Sequence, residues 1–251
     1  MRKIRTLLLS GGNNHDWQRS TPFCKELLEN SGQFEVEVTT TPSDTLADAA
    51  SLGEYELIFT DYNGPDWHER AQTNFEQKIR NGAGLVVLHA ANNAFPDWNA
   101  YKMMLGLTFV ANVSSHGDFH EFSVRITDRD HPITRGLSDF RTWDELYHAT
   151  VPTPGSEFRV LATAYSSPDR GGSGNVEPII AVLEYGRGRV FHLMLGHVWP
   201  HDFNSGYKGY QMVAFENENF QQCLLRGAEW AATGSVQEQP GKFIEGRSDR
   251  V

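Results

Sequence analysis

Over the first half of the chain, short apolar runs alternate with segments whose apolar residues recur every three or four positions, the pattern of a parallel sheet covered by helices. Residues 6–10 predict a first strand, followed by a polar loop over 11–19. Thr21-Pro22 predicts a helix start, because a threonine hydroxyl can cap free N–H groups and proline suits a first turn. Phe23, Leu27 and Leu28 form the apolar stripe of that helix and Gly32 its stop. Residues 34–39 alternate as a second strand. Residues 55–60 give a third, running into Asp61-Tyr62-Asn63-Gly64-Pro65, and Trp67, Ala71, Phe75 and Ile79 recur every four residues on a helix ending at Gly82. The fourth strand, 84–89, carries Leu85-Val86-Val87-Leu88, apolar on both faces as a strand between two helix layers must be.

The second half is richer in strand patterns. Alternation over 119–126, a strand over 158–164, and a hairpin over 179–195 turned at Gly186-Arg187-Gly188 are predicted. A last helix carries Phe220, Leu224, Ala228 and Ala231 and stops at Gly234. Residues 235–251 are polar and charged and read as a loosely held tail, so a single domain over 1–234 is expected. No internal repeat is present, and glycine-rich 170–175 reads as a loop.

Composition narrows the function classes. Against 32 Asp+Glu the chain sets 22 Lys+Arg, a formal net charge of −10 over 251 residues, which argues against a nucleic-acid partner because neutralising phosphates takes a basic face. No apolar run approaches the roughly 18 residues of a membrane span. The basic start Met1-Arg2-Lys3 leads into a run that stops at Gly11-Gly12 without a signal peptide's cleavage site. Cys24 and Cys223 each fall in a predicted helix and read as packing residues, neither a disulfide nor a thiolate nucleophile. The expectation is a cytoplasmic protein with a small-molecule partner, no nucleic acid and no membrane; aromatic residues outside the helix stripes leave a homodimer open.

In an open α/β sheet, ligands bind at the carboxyl ends of the strands. The loops there are polar: Asn13-Asn14-His15-Asp16-Trp17, Asp61-Tyr62-Asn63, His89 with Asn92 and Asn93, and Gly196-His197-Val198-Trp199. Amides and carboxylates beside aromatic faces suit a sugar, which offers many hydroxyls and an apolar ring face. Asn, Asp and Gly also fill such loops simply because they tolerate turn geometry. By period-two parity His120 shares a face with Phe122, Val124 and Ile126, and a strand extended backwards puts His116 and Asp118 on that core-directed face too. With His89 and His197 these imidazoles can serve proton transfer or a divalent metal such as Zn, Mn or Fe, although no spacing matches a specific metal motif. Asp16, Asp144, Glu145 and Glu177 lie near polar loops and stay ambiguous in so acidic a chain. No G-x-S-x-G, P-loop or complete G-x-G-x-x-G follows a strand.

Several segments together resemble the ThuA-like (trehalose-utilisation) family: Leu7-Leu8-Leu9-Ser10-Gly11-Gly12-Asn13-Asn14-His15-Asp16-Trp17, then residues 84–95 around Leu88-His89-Ala90-Ala91-Asn92-Asn93, His116-Gly117-Asp118-Phe119-His120, Asp130-His131-Pro132, Asp144-Glu145-Leu146-Tyr147-His148, and 188–197 ending in Gly196-His197. The resemblance runs in order over about residues 4–234. It implies the class I glutamine amidotransferase-like fold, a flavodoxin-like α/β architecture with a mainly parallel sheet and helices on both faces, here with a β-hairpin extension. Glutaminase activity is not implied, since that superfamily's chemistry needs a cysteine after a central strand and a later His-x-Glu. Here the strand ends in His89, and His-x-Glu occurs nowhere.

Residues and resemblance together point to a sugar-catabolism enzyme acting on a disaccharide, glycoside or keto-glycoside by histidine acid–base or metal-assisted chemistry. A ring ketone acidifies the neighbouring C–H, so a base can remove that proton while a cation stabilises the enolate. His89, His120 and His197 are the expected catalytic residues, His116 and His120 the expected metal ligands, and Asn13, His15, Asp16, Trp17, Asn63 and Asn93 the expected sugar contacts. The competing reading is a non-catalytic sugar-binding or regulatory protein.

Overall fold

The computed structural model describes residues 2–199 and 212–237. In chain order its strands are β1 (Ile4–Leu9), β2 (Phe34–Thr39), β3 (Leu57–Thr60), β4 (Gly84–Leu88), β5 (Leu107–Thr108), β6 (Ser115–His116), β7 (His120–Ile126), β8 (Phe140–Asp144), β9 (Tyr147–His148), β10 (Val151–Pro152), β11 (Phe158–Tyr165), β12 (Val176–Tyr185) and β13 (Gly188–Leu193). The helices are α1 (Trp17–Asn30), α2 (Pro42–Ala47), α3 (Ala49–Leu52), α4 (Glu69–Arg80), α5 (Asn99–Leu105), α6 (Val213–Glu216) and α7 (Glu218–Thr233). Nine strands form one sheet in the order β2-β1-β3-β4-β13-β12-β11-β7-β8. The pairs from β2 to β13 are parallel and those from β13 to β8 antiparallel, so only β12 and β7 run against the other seven strands.

Alternation explains the layers. Leu8, Leu57, Phe59, Val86 and Leu88 pack on one face with Cys24, Leu27 and Leu28 of α1 and Cys223, Leu224 and Ala228 of α7. Leu7, Leu9, Ile58, Leu85 and Val87 pack on the other with α2 to α5. Both cysteines are free and buried. The predicted hairpin is present as β12 and β13, and β13 also pairs with β4, so the hairpin joins the parallel sheet to its antiparallel half. In β7 burial alternates strictly, with Phe122, Val124 and Ile126 inward and Glu121, Ser123 and Arg125 outward, as expected of an antiparallel strand with one wet face.

Two sequence expectations are corrected. Helix α1 starts at Trp17, a turn before Thr21-Pro22, so Pro22 lies inside it; Ser20 and Thr21 spend their hydroxyls on the Asp61 carboxylate (2.7 and 2.8 Å) instead of capping. The strand at His120 does not extend back to His116 either. His116 belongs to β6, which pairs with β9, and its side chain is exposed. Between them the chain passes against the 168–170 turn, where Asp118 N–H donates to the Arg170 carbonyl (2.8 Å) and a Cβ on Gly117 would stand 2.4 Å from that oxygen. The tail over 238–251 lies outside the described residues.

Candidate active site

The chemistry collects at the carboxyl edge of the sheet. His15 follows β1, His89 follows β4 and His197 follows β13, with exposures of 8%, 2% and 5%. One ring nitrogen from each lies within 4.8 Å of one from the others, and among the described residues no other group of three potential metal ligands is so close. His89 sits at the elbow between β4 and a short 3-10 turn with φ 41°, the left-handed region that a non-glycine side chain adopts only when its surroundings hold it there. Gly196, φ 131°, lets the His197 loop approach: a Cβ there would stand 3.2 Å from that of His89.

Hydrogen bonds assign the tautomer of each ring. His15 Nδ1 faces the side-chain oxygens of Asn14 (3.0 Å) and Asn13 (3.3 Å), so it carries the proton and Nε2 the lone pair. His89 Nδ1 donates to the Met194 carbonyl (2.7 Å), leaving Nε2 to accept from the Tyr147 hydroxyl (3.1 Å). His197 Nδ1 is hydrogen-bonded to His15 Nε2 (2.8 Å), so with the lone pair on His15 Nε2 it is His197 Nδ1 that donates, and it lies 2.9 Å from Glu145 Oε2. Its Nε2 is buried with no hydrogen-bond partner among the described residues. Burial, reinforced by the neighbouring imidazoles, holds His15 and His89 well below the usual histidine range, so both are neutral at pH 7.

Two buried carboxylates frame the triad. Asp61, after β3, accepts from Ser20, Thr21 and Asn13 Nδ2 (3.2 Å), and so fixes the loop that carries His15. Asp144, at the end of β8, accepts backbone N–H groups from Gly196 (2.7 Å), His197 (3.2 Å) and Glu145 (2.8 Å). Burial raises both to about 6 despite these donors. Tyr147 stacks on His89 with ring centroids 4.5 Å apart, and burial with the Glu145 and Asp144 charges pushes its pKa well up, so its hydroxyl donates.

The four polar loops meet. Asn63 Nδ2 bonds Asn14 Oδ1 (2.8 Å) and also Asn93 Oδ1, forming an amide row at the rim. Asp16 stands at the N-terminal boundary of α1 without a side-chain capping bond, and its N–H donates to the Val198 carbonyl (3.2 Å); Trp17 is the first, half-buried residue of α1. His116 Nδ1 donates to the Gly117 carbonyl (2.8 Å) and lies 3.5 Å from Glu145 Oε2, its side chain 42% exposed. His120 is not brought into the triad: its Nδ1 donates to the Asp118 carbonyl (2.7 Å) and its ring rests on Phe122. Thus His15 joins His89 and His197, while Asp144, Glu145 and Tyr147 enter the site unassigned by sequence reasoning. Their signal was a pair of consecutive acids inside the aromatic stretch Trp143-Asp144-Glu145-Leu146-Tyr147.

The mixed α/β sheet, mostly parallel with helices on both faces and with His89 at the elbow after β4, is a glutamine amidotransferase-like fold. The chain belongs to the ThuA family, described as trehalose utilisation, whose model matches residues 5–231. It is 36% identical to a ThuA-like protein from Parabacteroides merdae, with a TM-score of 0.83 over 97% of this chain and 95% of that one. A ThuA-like protein from Bacteroides uniformis (22% identity, TM-score 0.65, 93% of each chain) shares the fold. So does a GMP synthase protein from Thermoplasma acidophilum (12%, 0.54, 93% of this chain and 96% of that one). Comparison with curated proteins gives no match. Family membership supports a role related to trehalose utilisation. No helix among the described residues is long and apolar enough to cross a membrane.

Proposed function

We propose that the site processes a sugar, with His15, His89 and His197 holding a divalent cation and the surrounding amides binding hydroxyls. The observation that carries this reading is the convergence of three buried imidazoles, with one ring nitrogen of each within 4.8 Å of the others and with His15 and His89 neutral; a cation would take the place of the hydrogen bonds that now join His15 to His197 and Tyr147 to His89. Three imidazole nitrogens suit zinc or iron(II) better than magnesium or calcium, which prefer oxygen.

A cation held there supplies Lewis acidity toward a sugar carbonyl or hydroxyl oxygen. The chain's own groups do the rest. Asn13, Asn63 and Asn93 orient hydroxyls, with Trp17 and Asp16 at the same rim. Tyr147 keeps its proton and donates. His116, whose Nδ1 is committed to Gly117, presents Nε2 as the base that takes a proton from carbon beside a ring ketone. The substrate class is a disaccharide or keto-glycoside.

The test is elemental analysis of protein purified without chelator or metal-affinity steps, followed by turnover of keto-glycosides. Near-stoichiometric metal that disappears in His197→Ala, with turnover lost in the same variant, is expected. A metal-free protein that turns over these sugars at full rate would overturn the metal role, and sugar binding without turnover would leave a binding protein.

A further inference from the structure

Asp61 touches none of the three imidazoles, yet a continuous chain of hydrogen bonds joins it to one of them. It follows β3, which lies beside β1 in the sheet, and its backbone N–H donates to the Leu9 carbonyl (3.0 Å), so the loops after the two strands leave the sheet together. Ser20 and Thr21 donate to Asp61 Oδ2, which leaves Oδ1 to accept from Asn13 Nδ2 (3.2 Å); the same amide nitrogen lies 3.4 Å from the Asp61 carbonyl oxygen. Two acceptors on that side admit only a donor, so the Asn13 amide has a single orientation. Its Oδ1 therefore faces His15, accepting from the backbone N–H (3.0 Å) and from ring Nδ1 (3.3 Å). The far nitrogen of that ring, Nε2, is bonded to His197 Nδ1 (2.8 Å). Asn14 Oδ1 also reaches His15 Nδ1 (3.0 Å), but Asn14 is exposed and bonded to another amide, that of Asn63, so those two can turn over together where Asn13 cannot.

We propose that Asp61 is a positioning residue that decides, through the Asn13 amide, which side of the His15–His197 hydrogen bond carries the proton. With Asn13 Oδ1 at Nδ1, His15 is held as the Nδ1–H tautomer and turns its Nε2 lone pair toward His197. The reversed state, Nε2–H with a lone pair on Nδ1, sets that lone pair against an amide oxygen that cannot rotate away. Outer partners that fix the tautomer of a metal-ligating histidine typically contribute about 10–100-fold to metal affinity. The consequence for a metal rests on the proposed function; the tautomer does not.

The experiment uses the full chain with ¹⁵N-labelled histidine, stripped of metal by a chelator, at neutral pH. Long-range ¹H–¹⁵N correlation reads the His15 ring nitrogens, whose shifts approach each other as tautomers mix, and zinc titration against a competing chelator reads affinity. The wild type should show Nδ1–H at His15. Asp61→Leu removes the acceptor at similar shape, and Asn13→Ala cuts the link. Each should move the tautomer ratio toward Nε2–H by about 2–10-fold, the worth of one net hydrogen bond, and weaken zinc binding by about 10–100-fold. The double variant should go no further than either alone, because both remove the same connection. Ser20→Ala takes a donor from the other oxygen of the same carboxylate and should leave the His15 spectrum as in the wild type. Should Asp61→Leu fail to fold, Asn13→Ala, at a half-buried loop position, carries the test.

Unchanged His15 nitrogens in the folded variants would overturn the relay, as would shifts that add in the double variant. A mixed tautomer with unchanged zinc affinity would reject the positioning role. A mixed tautomer in a protein that binds no zinc even as wild type would support the relay and reject the metal reading.

Discussion

Strands β1, β3, β4 and β13 are covered by helices, and nearly every side chain along them is buried; β7, four positions across the sheet from β4, meets solvent at every second residue. The site divides along the same line. The parallel half supplies the three imidazoles, each after a strand's carboxyl end, and the chain leaving β8 in the antiparallel half brings Asp144, Glu145 and Tyr147 against them. Reactive groups thus stand on the part of the fold that can least move, and the groups brought against them come from the more open half.

The sharpest way to break this division is to remove a ring from each half. His89→Ala or His197→Ala should abolish stoichiometric metal and lower turnover by roughly 10³-fold, about 4 kcal/mol, whereas His120→Ala should retain the metal. Elemental analysis with steady-state kinetics checks both, and equal losses in all three would erase the distinction.

Next in size is rigidity. A Cβ on Gly227 of α7 would stand 2.3 Å from the Phe191 ring, and one on Gly84 of β4 2.4 Å from the Ala231 backbone. Each alanine substitution should destabilise by about 3 kcal/mol, since neither backbone nor ring can retreat in a close-packed layer. In the antiparallel half Gly174, whose nearest neighbour would be a proline side-chain atom at 3.4 Å, has space for a Cβ but a φ of 77°, so Gly174→Ala should cost only about 1 kcal/mol. Urea unfolding ranks the three.

Acid should reveal the parallel half as well. Burial pushes His192 of β13 down to about 3. Below about pH 6.5 the unfolded chain takes a proton there that the folded chain refuses, so stability falls with pH by about 1.4 kcal/mol per unit for this residue until its folded value is reached. Asp61 and Asp144, raised to about 6, act with the opposite sign, because the folded state is the one that gains their protons as pH falls through 6. His15 and His89 refuse their protons in the folded state just as His192 does, so the imidazoles outweigh the two carboxylates, thermal midpoints should fall as the pH is lowered from about 6.5, and His192→Gln should flatten that slope. At the small end, Tyr165, 55% exposed at the rim, should tolerate Tyr165→Ser within about 0.5 kcal/mol by the same unfolding assay.

How much was legible followed element length. Strands β1 to β4 and helices α4 and α7 carry enough repeats for their period to be read, and the loops after β1, β3, β4 and β13 could be singled out before any contact was known. Strands β5, β6, β9 and β10 span two residues each, and α2, α3 and α6 span six or fewer, too short for a period to show. Grouping His116 with His120 failed for a related reason, since parity counts residues but does not register the break at Gly117.

The sequence by itself determined the layered α/β architecture, the absence of an elbow cysteine and the crowding of amides and imidazoles into strand-end loops, because these depend on local periodicity and residue type. Only the tertiary structure decided that His15 rather than His120 joins His89 and His197, and that Asp144 and Glu145 face them. Those contacts join residues up to 182 positions apart, and their geometry is set by strand order, which no local pattern encodes.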